Sequence, residues 1–465
     1  MMIAGLSKVL GITEPGIRLT ITLFAAYFLA VLYRIQVRYR SPSVQHAFFI
    51  VTGLFLMFFN YGWDLYHSVV SIVVAYLLCK LIGGTSTSVV VAFVFYMGYL
   101  FVGFYYTATN EYDLKWTLPQ CILTLRLIAL VTDVYDGRTI KPEKMDAGTK
   151  ETALTDCPSL PEIAAHTYFY ASFLVGPQFS LKRFRNFVNG SFESPTITAK
   201  ESRERVKVAM GRLCLGICYM LGHVIVYPIY PTVYFTTDEF KQENLIWKYC
   251  ITMIWLRAIM FRYQAAWLVA EGGCILSGVA YNGRDENGKV LWDAVRNMRM
   301  VKFEFGCSFQ SVIESFNYNT NLWAGKYVFK RLRFLGNRTL SHVLTLLFLS
   351  LWHGFHSGYL VCFAFEFACV IAEKASSTYF AKNRRFQTLA RSPEFLFPIW
   401  FVEKCIVVFG CGFGFLPFIL LTIDRWIEAH KGLYFMGWFG VLVTLIIDKH
   451  IWKKKLDLGI LRMIV

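Results

Sequence analysis

Charge is scarce in this sequence. Of 465 residues only 17% are Asp, Glu, Lys or Arg, against ~25% in a soluble globular domain. With 56% of the chain hydrophobic, water is excluded as its main solvent. Paired cysteines are also missing: the 12 cysteines lie singly, mostly within apolar runs, without C-x-x-C spacing or a dense framework. That argues against a zinc ribbon or a secreted disulfide scaffold and leaves them as small core residues. No short basic segment with a small-residue cleavage site opens the chain, so its first apolar segment reads as a retained span. No internal repeat of the kind common in secondary transporters is visible. The longest polar linkers, near 136–158, 180–207, 282–305 and 374–392, hold too few apolar residues for a core of their own. A single integral membrane domain over 1–465 is expected.

What remains is hydrophobic and helical in pattern. Apolar runs able to cross or nearly cross a ~30 Å hydrocarbon core occur near 17–34, 46–59, 65–83, 88–108, 115–131, 159–177, 208–235, 245–280, 340–372, 395–422 and 431–447. The expected fold class is an all-α polytopic membrane protein of about eleven transmembrane or re-entrant helices around a buried reaction chamber. Basic and acidic loops alternate at first, which puts Arg34, Arg38, Arg40, Lys80 and Arg138 in the cytosol and the amino terminus in the lumen. The scheme strains at 159–177 and 340–372, each flanked by basic loops on both sides. A re-entrant or broken helix is expected at both, with Pro161, Gly176 and Pro177 as breakers in one and Gly354 and Gly358 in the other. The sequons at Asn189 and Asn337 fall in basic loops and are not expected to carry sugar. The net charge of +16 reads as cytosolic loops, lipid head groups or a polyanionic co-substrate.

Two stretches carry chemistry. Phe316-Asn317-Tyr318-Asn319-Thr320-Asn321-Leu322-Trp323 runs into Lys326, Lys330, Arg331 and Arg333. Downstream, Leu351-Trp352-His353-Gly354-Phe355-His356-Ser357-Gly358-Tyr359 lies inside an apolar run. An imidazole at membrane depth is a functional candidate by default. His353 is a general base, one of a structural pair with His356, or a metal ligand; the other seven histidines form no second box, which weighs against a metal. On a helix Asn317 and Asn321 share a face, as caps or as amides that orient a substrate and stabilise an oxyanion. The basic run is an interfacial helix face or a seat for phosphates. Within 245–280, Arg257 and Arg262 snorkel, pair with Glu271 or line the route of a charged substrate.

Phe-Asn-x-x-Thr-Asn-x-Trp and Trp-His-Gly-x-His-x-Gly-Tyr, with 36 residues between Asn317 and His353, resemble the motifs of the membrane-bound O-acyltransferase family. Further matches include Tyr135-Asp136-Gly137, Tyr168-Phe169-Tyr170, Gly176-Pro177-Gln178-Phe179-Ser180 and Glu271-Gly272. Within the family the set looks most like the lysophosphatidylcholine acyltransferases of the endoplasmic reticulum. The resemblance implies acyl transfer from acyl-CoA, as co-substrate and not a bound cofactor, to the sn-2 hydroxyl of a lysophospholipid. It implies His353 as the catalytic histidine and Asn317 as its partner. Trp352, Trp323, His356, Asn321, Lys326, Lys330, Arg331, Arg262 and Glu271 are substrate-binding candidates, and no metal is expected. The bilayer and the two lipid substrates are the expected partners, with no nucleic acid and room for a homodimer. Lys453, Lys454 and Lys455 are followed by ten further residues, which departs from the family's lysine-rich terminal retrieval signal.

Overall fold

The computed structural model describes residues 12–111, 113–192 and 197–453, with Ile3, Gly5 and Ser7 before them; the terminal lysine cluster reaches beyond the described residues. Helix dominates, and among the described residues the extended structure is one isolated bridge, Arg284 to Val290. The chain forms two compact units, one from the described residues of 1–108, 113–220 and 263–297, the other from those of 109–112, 221–262 and 298–465.

In the first unit α1 (Glu14–Leu32), α2 (Pro42–Tyr61), α3 (Tyr66–Leu81), α4 (Ser86–Thr107) and α5 (Thr117–Thr139) are followed by the short α6 (Leu160–Thr167) and α7 (Leu181–Val188). Their starts carry local signals. Thr13, Thr85, Ser159 and Ser180 accept the backbone N–H three residues on, which satisfies donors that a helix leaves open. α8 (Ala199–Val226) and α9 (Leu245–Ser277) have residues in both units. The second unit contains α10 (Tyr318–Tyr327), α11 (Arg338–His353), α12 (Ser357–Lys382), α13 (Pro393–Leu420), α14 (Ile423–Gly432) and α15 (Met436–Lys453).

Among the described residues six helical stretches are long and apolar enough to cross a membrane: Glu14–Val37, Pro42–Leu81, Ser86–Thr107, Thr117–Thr139, Ala199–Thr236 and Pro393–Leu420. α14 and the start of α15, bent by 70°, pass the same test only as a pair, as one broken span or a re-entrant loop. The chain is thus a multi-pass membrane protein. The sequence count of eleven separates runs that this measure merges or omits, since 46–59 and 65–83 fall within the single stretch Pro42–Leu81.

The run at 159–177 forms no span. α6 stops after eight residues and the chain turns through to Gly176, whose φ is +85°. Arg126 of α5 compensates for that irregular backbone. It donates to the carbonyls of His166 (2.9 Å), Thr167 (3.1 Å), Ser172 (3.3 Å) and Pro177 (3.4 Å), and to Gln178 Oε1 at 3.2 Å. Buried at 3% exposure, it does for this segment what helix hydrogen bonds do elsewhere.

The run at 340–372 breaks as its glycines predict. α11 ends at His353, Gly354 takes φ +140°, and α12 starts at Ser357. A Cβ on Gly354 would stand 3.0 Å from the Tyr359 ring, and one on Gly358 would meet the Pro417 carbonyl. The first position needs a backbone closed to other residues, the second lets α12 and α13 touch. Ring contacts then place α12 antiparallel to α11: His353 meets Tyr359 and Phe363, and His342 meets Phe367.

Candidate active site

The second unit holds His353 at the last position of α11. Its Nδ1 lies 2.7 Å from the Leu349 carbonyl. A carbonyl oxygen only accepts, so Nδ1 carries the proton and the neutral ring keeps its lone pair on Nε2. Nε2 has no partner among the described residues. The rings of Trp352, Tyr359, Phe363 and Phe418 pack around the imidazole at centroid distances of 4.5–5.8 Å. His353 is half-buried among these rings.

Asn317 departs from the expectation that it shares a helix face with Asn321. It precedes α10 in the left-handed conformation, φ 47° and ψ 37°, and its side chain makes no capping bond. Asn tolerates this region better than most residues, at some cost. The amide has no hydrogen-bond partner among the described residues, so it is not explained as a cap. Its neighbours hold the turn instead. Asn321 Nδ2 donates to the carbonyls of Ile313 (2.7 Å) and Phe316 (3.1 Å), and the Arg299 guanidinium lies 3.8 Å over the Tyr318 ring. Trp323, 5% exposed, stacks on Phe348 of α11 at 5.8 Å. α10 is thereby fixed to the helix that carries His353.

His356 does not join His353 at a common point. Its Nε2 donates to the Thr109 carbonyl at 3.0 Å, so it ties the start of α12 to residue 109. Trp352 is buried beside the imidazole. The basic residues do not share one helix: Lys326 sits in α10 with its Nζ over the Tyr327 ring at 4.9 Å, while Lys330 and Arg331 belong to the tight 3-10 turn Phe329–Leu335. Ser341 Oγ near the start of α11 binds the Leu332 carbonyl of that turn. Twelve residues along α11 therefore separate the turn's anchor from His353, about 18 Å at ~1.5 Å per residue.

Arg257 pairs with Glu304 at 2.7 Å, not with Glu271. Glu271 lies in the first unit with Arg212 at 3.1 Å and Arg296 at 3.8 Å. Arg262 belongs to the second unit, within electrostatic reach of His223. Among the described residues no three His, Cys, Asp or Glu side chains are grouped as metal ligands are. Two residues escaped the sequence reading. Arg126 looked like any single arginine, because its partners are carbonyls 40 to 52 positions away. Glu366 lies within the same apolar run as His353, so the test that selects His353 applies to it equally.

The second unit of this α-helical multi-pass protein thus presents a neutral imidazole among aromatic rings, with Nδ1 engaged and Nε2 keeping its lone pair. The chain belongs to the membrane-bound O-acyltransferase family, whose family model matches residues 101–410. It is 40% identical over 449 residues to lysophospholipid acyltransferase 5 of Mus musculus and likewise of Homo sapiens, covering 96% of this chain and 91% of each relative. The protein of that name from Caenorhabditis elegans is 37% identical over 436 residues, 94% of this chain and 92% of the relative. The reaction class is accordingly O-acyl transfer.

Proposed function

We propose that the protein transfers a fatty acyl group from acyl-CoA to the sn-2 hydroxyl of a lysophospholipid, with lysophosphatidylcholine as the leading acceptor. The observation that carries this reading is the His353 tautomer, with Nδ1 held by Leu349 and Nε2 left open among aromatic rings. Nε2 takes the proton from the acceptor hydroxyl as its oxygen attacks the thioester carbonyl. The collapsing tetrahedral adduct expels the CoA thiolate, which recovers that proton from the imidazolium. General base help of this kind is worth ~10²–10⁴ in rate. The partnerless Asn317 amide supplies an N–H donor for the developing oxyanion or orients the hydroxyl. No acyl-enzyme is needed.

The basic turn supports CoA as the donor. From the phosphorus to the sulfur of CoA the pantetheine arm has thirteen bonds, roughly 16 Å when extended. That is close to the ~18 Å along α11 between the turn carrying Lys330 and Arg331 and His353. Phosphates held by Lys326, Lys330 and Arg331 would let the thioester reach the imidazole. The endoplasmic reticulum membrane is the compartment that fits the resemblance.

Free CoA release by the purified protein, given arachidonoyl-CoA and lysophospholipids that differ only in head group, tests the proposal. Acceptor-dependent release that vanishes in His353→Ala is expected. No release with any lysophospholipid from folded protein would overturn it.

A further inference from the structure

Glu366 has no role in what precedes. It sits on α12 within the second unit, surrounded by protein yet with accessible surface, as is His353. No hydrogen-bond donor or cation among the described residues pairs with it. Its neighbours in electrostatic reach are the thiols of Cys362, Cys369 and Cys411. Cys362 and Cys411 are also enclosed and partly accessible. The nearby cation Lys404 is bonded to the carbonyls of Phe303 and Gly306, and Glu373 accepts the N–H groups of Phe309 and Gln310. A carboxylate at this depth without a donor is costly unless a ligand supplies one.

Its position along the helix pair indicates which ligand. Tyr359, Cys362, Glu366 and Cys369 recur at helical spacing, so Glu366 lies on the face of α12 that meets His353, two turns or about 10 Å beyond Tyr359. Because α12 runs antiparallel to α11, that displacement leads from His353 toward the basic turn. The contact of His342 with the neighbouring Phe367 sets Glu366 about two-thirds of the way along the ~18 Å from His353 to that turn. In CoA the distal amide nitrogen of the pantetheine arm is seven bonds from the sulfur, roughly 9 Å.

We propose that Glu366 accepts a hydrogen bond from the distal amide N–H, or the adjacent hydroxyl, of the donor's pantetheine arm, and so selects a full-length CoA thioester over a truncated one. This rests on the acyl-CoA reading above.

Two donors with the same arachidonoyl chain test it: arachidonoyl-CoA, and the arachidonoyl thioester of N-acetylcysteamine, which keeps the near amide and lacks the distal amide, the hydroxyl and the phosphates. In Glu366→Leu the ratio of kcat/KM for the CoA donor to that for the truncated donor should fall about tenfold, with most of the fall in the KM of the CoA donor. Glu366→Gln, which keeps an acceptor oxygen, should restore most of the ratio. An unchanged ratio with both donors slowed equally would mean a structural role or contact with the acyl chain, and would overturn the proposal. So would a ratio that Glu366→Gln leaves as low as Glu366→Leu. Failure of the wild-type protein with every lysophospholipid would instead remove the underlying acyltransferase reading.

Discussion

Nδ1 of His353 donates to the Leu349 carbonyl at 2.7 Å, one helical turn back. That bond fixes which nitrogen carries the proton and which keeps its lone pair. His353→Ala should reduce acyl transfer by about 10²–10⁴ while the detergent-solubilised protein melts as the wild type does. His353→Gln should be equally slow, since a side-chain amide cannot take the proton. A variant that keeps a tenth or more of the wild-type CoA release rate would exclude His353 as the base.

Asn317 combines a left-handed backbone with a partnerless amide, and two substitutions separate these features. Asn317→Gly keeps the backbone and removes the amide, so kcat should fall at least tenfold with thermal stability held or slightly raised. Asn317→Ala should lose comparable activity and in addition about 1 kcal/mol of stability, because alanine is strained at φ 47°. Equal melting temperatures in the two variants would show that the turn relaxes.

His356 binds a backbone carbonyl, Thr109, at 3.0 Å, the geometry of a tether. His356→Ala should cost about 0.5–1.5 kcal/mol of stability and less than tenfold in turnover. A loss equal to that of His353→Ala, accompanied by metal in the purified protein, would restore the reading of a histidine pair as ligands.

In the first unit Arg126 gathers four backbone carbonyls of the irregular segment after α6. Arg126→Met leaves the carbonyls of His166, Thr167, Ser172 and Pro177 without their donor, at about 1–3 kcal/mol for each buried group left unsatisfied. The expected result is little or no monodisperse protein by size-exclusion chromatography. Arg126→Lys, with one ammonium in place of a planar fork, should recover only part of it. Wild-type yield from Arg126→Met would mean that water serves those carbonyls as well as arginine does.

Arg185 bonds both oxygens of Asp156 at 2.8 and 2.9 Å, and that hydrogen bonding holds the Asp156 carboxyl below its ordinary range. A carboxylate lowered on folding adds stability above its unfolded pKa of ~3.9 and loses it as pH falls through the folded value. Melting temperature should therefore show no Asp156-dependent change between pH 7 and pH 5. Below about pH 4 the acid loss should be smaller in Asp156→Asn than in the wild type. Parallel curves down to acid would show that the pair contributes nothing measurable.

The class of this protein, its helical build and its breaks were legible in local sequence because they follow from local causes. A chain with so few charges has to bury itself in lipid, and Gly354 supplies the positive φ at which α11 stops. The Asn and His motifs were legible for the same reason, as short patterns with fixed spacing. Partner choice was not. The open nitrogen of His353, the left-handed turn at Asn317, the pairing of Arg257 with Glu304, the carbonyls gathered by Arg126 and the isolation of Glu366 each depend on groups brought together in space. Hydrogen-bond geometry and burial act on three-dimensional neighbours, many of them tens of positions apart in the chain, so those features were decided by the tertiary structure alone.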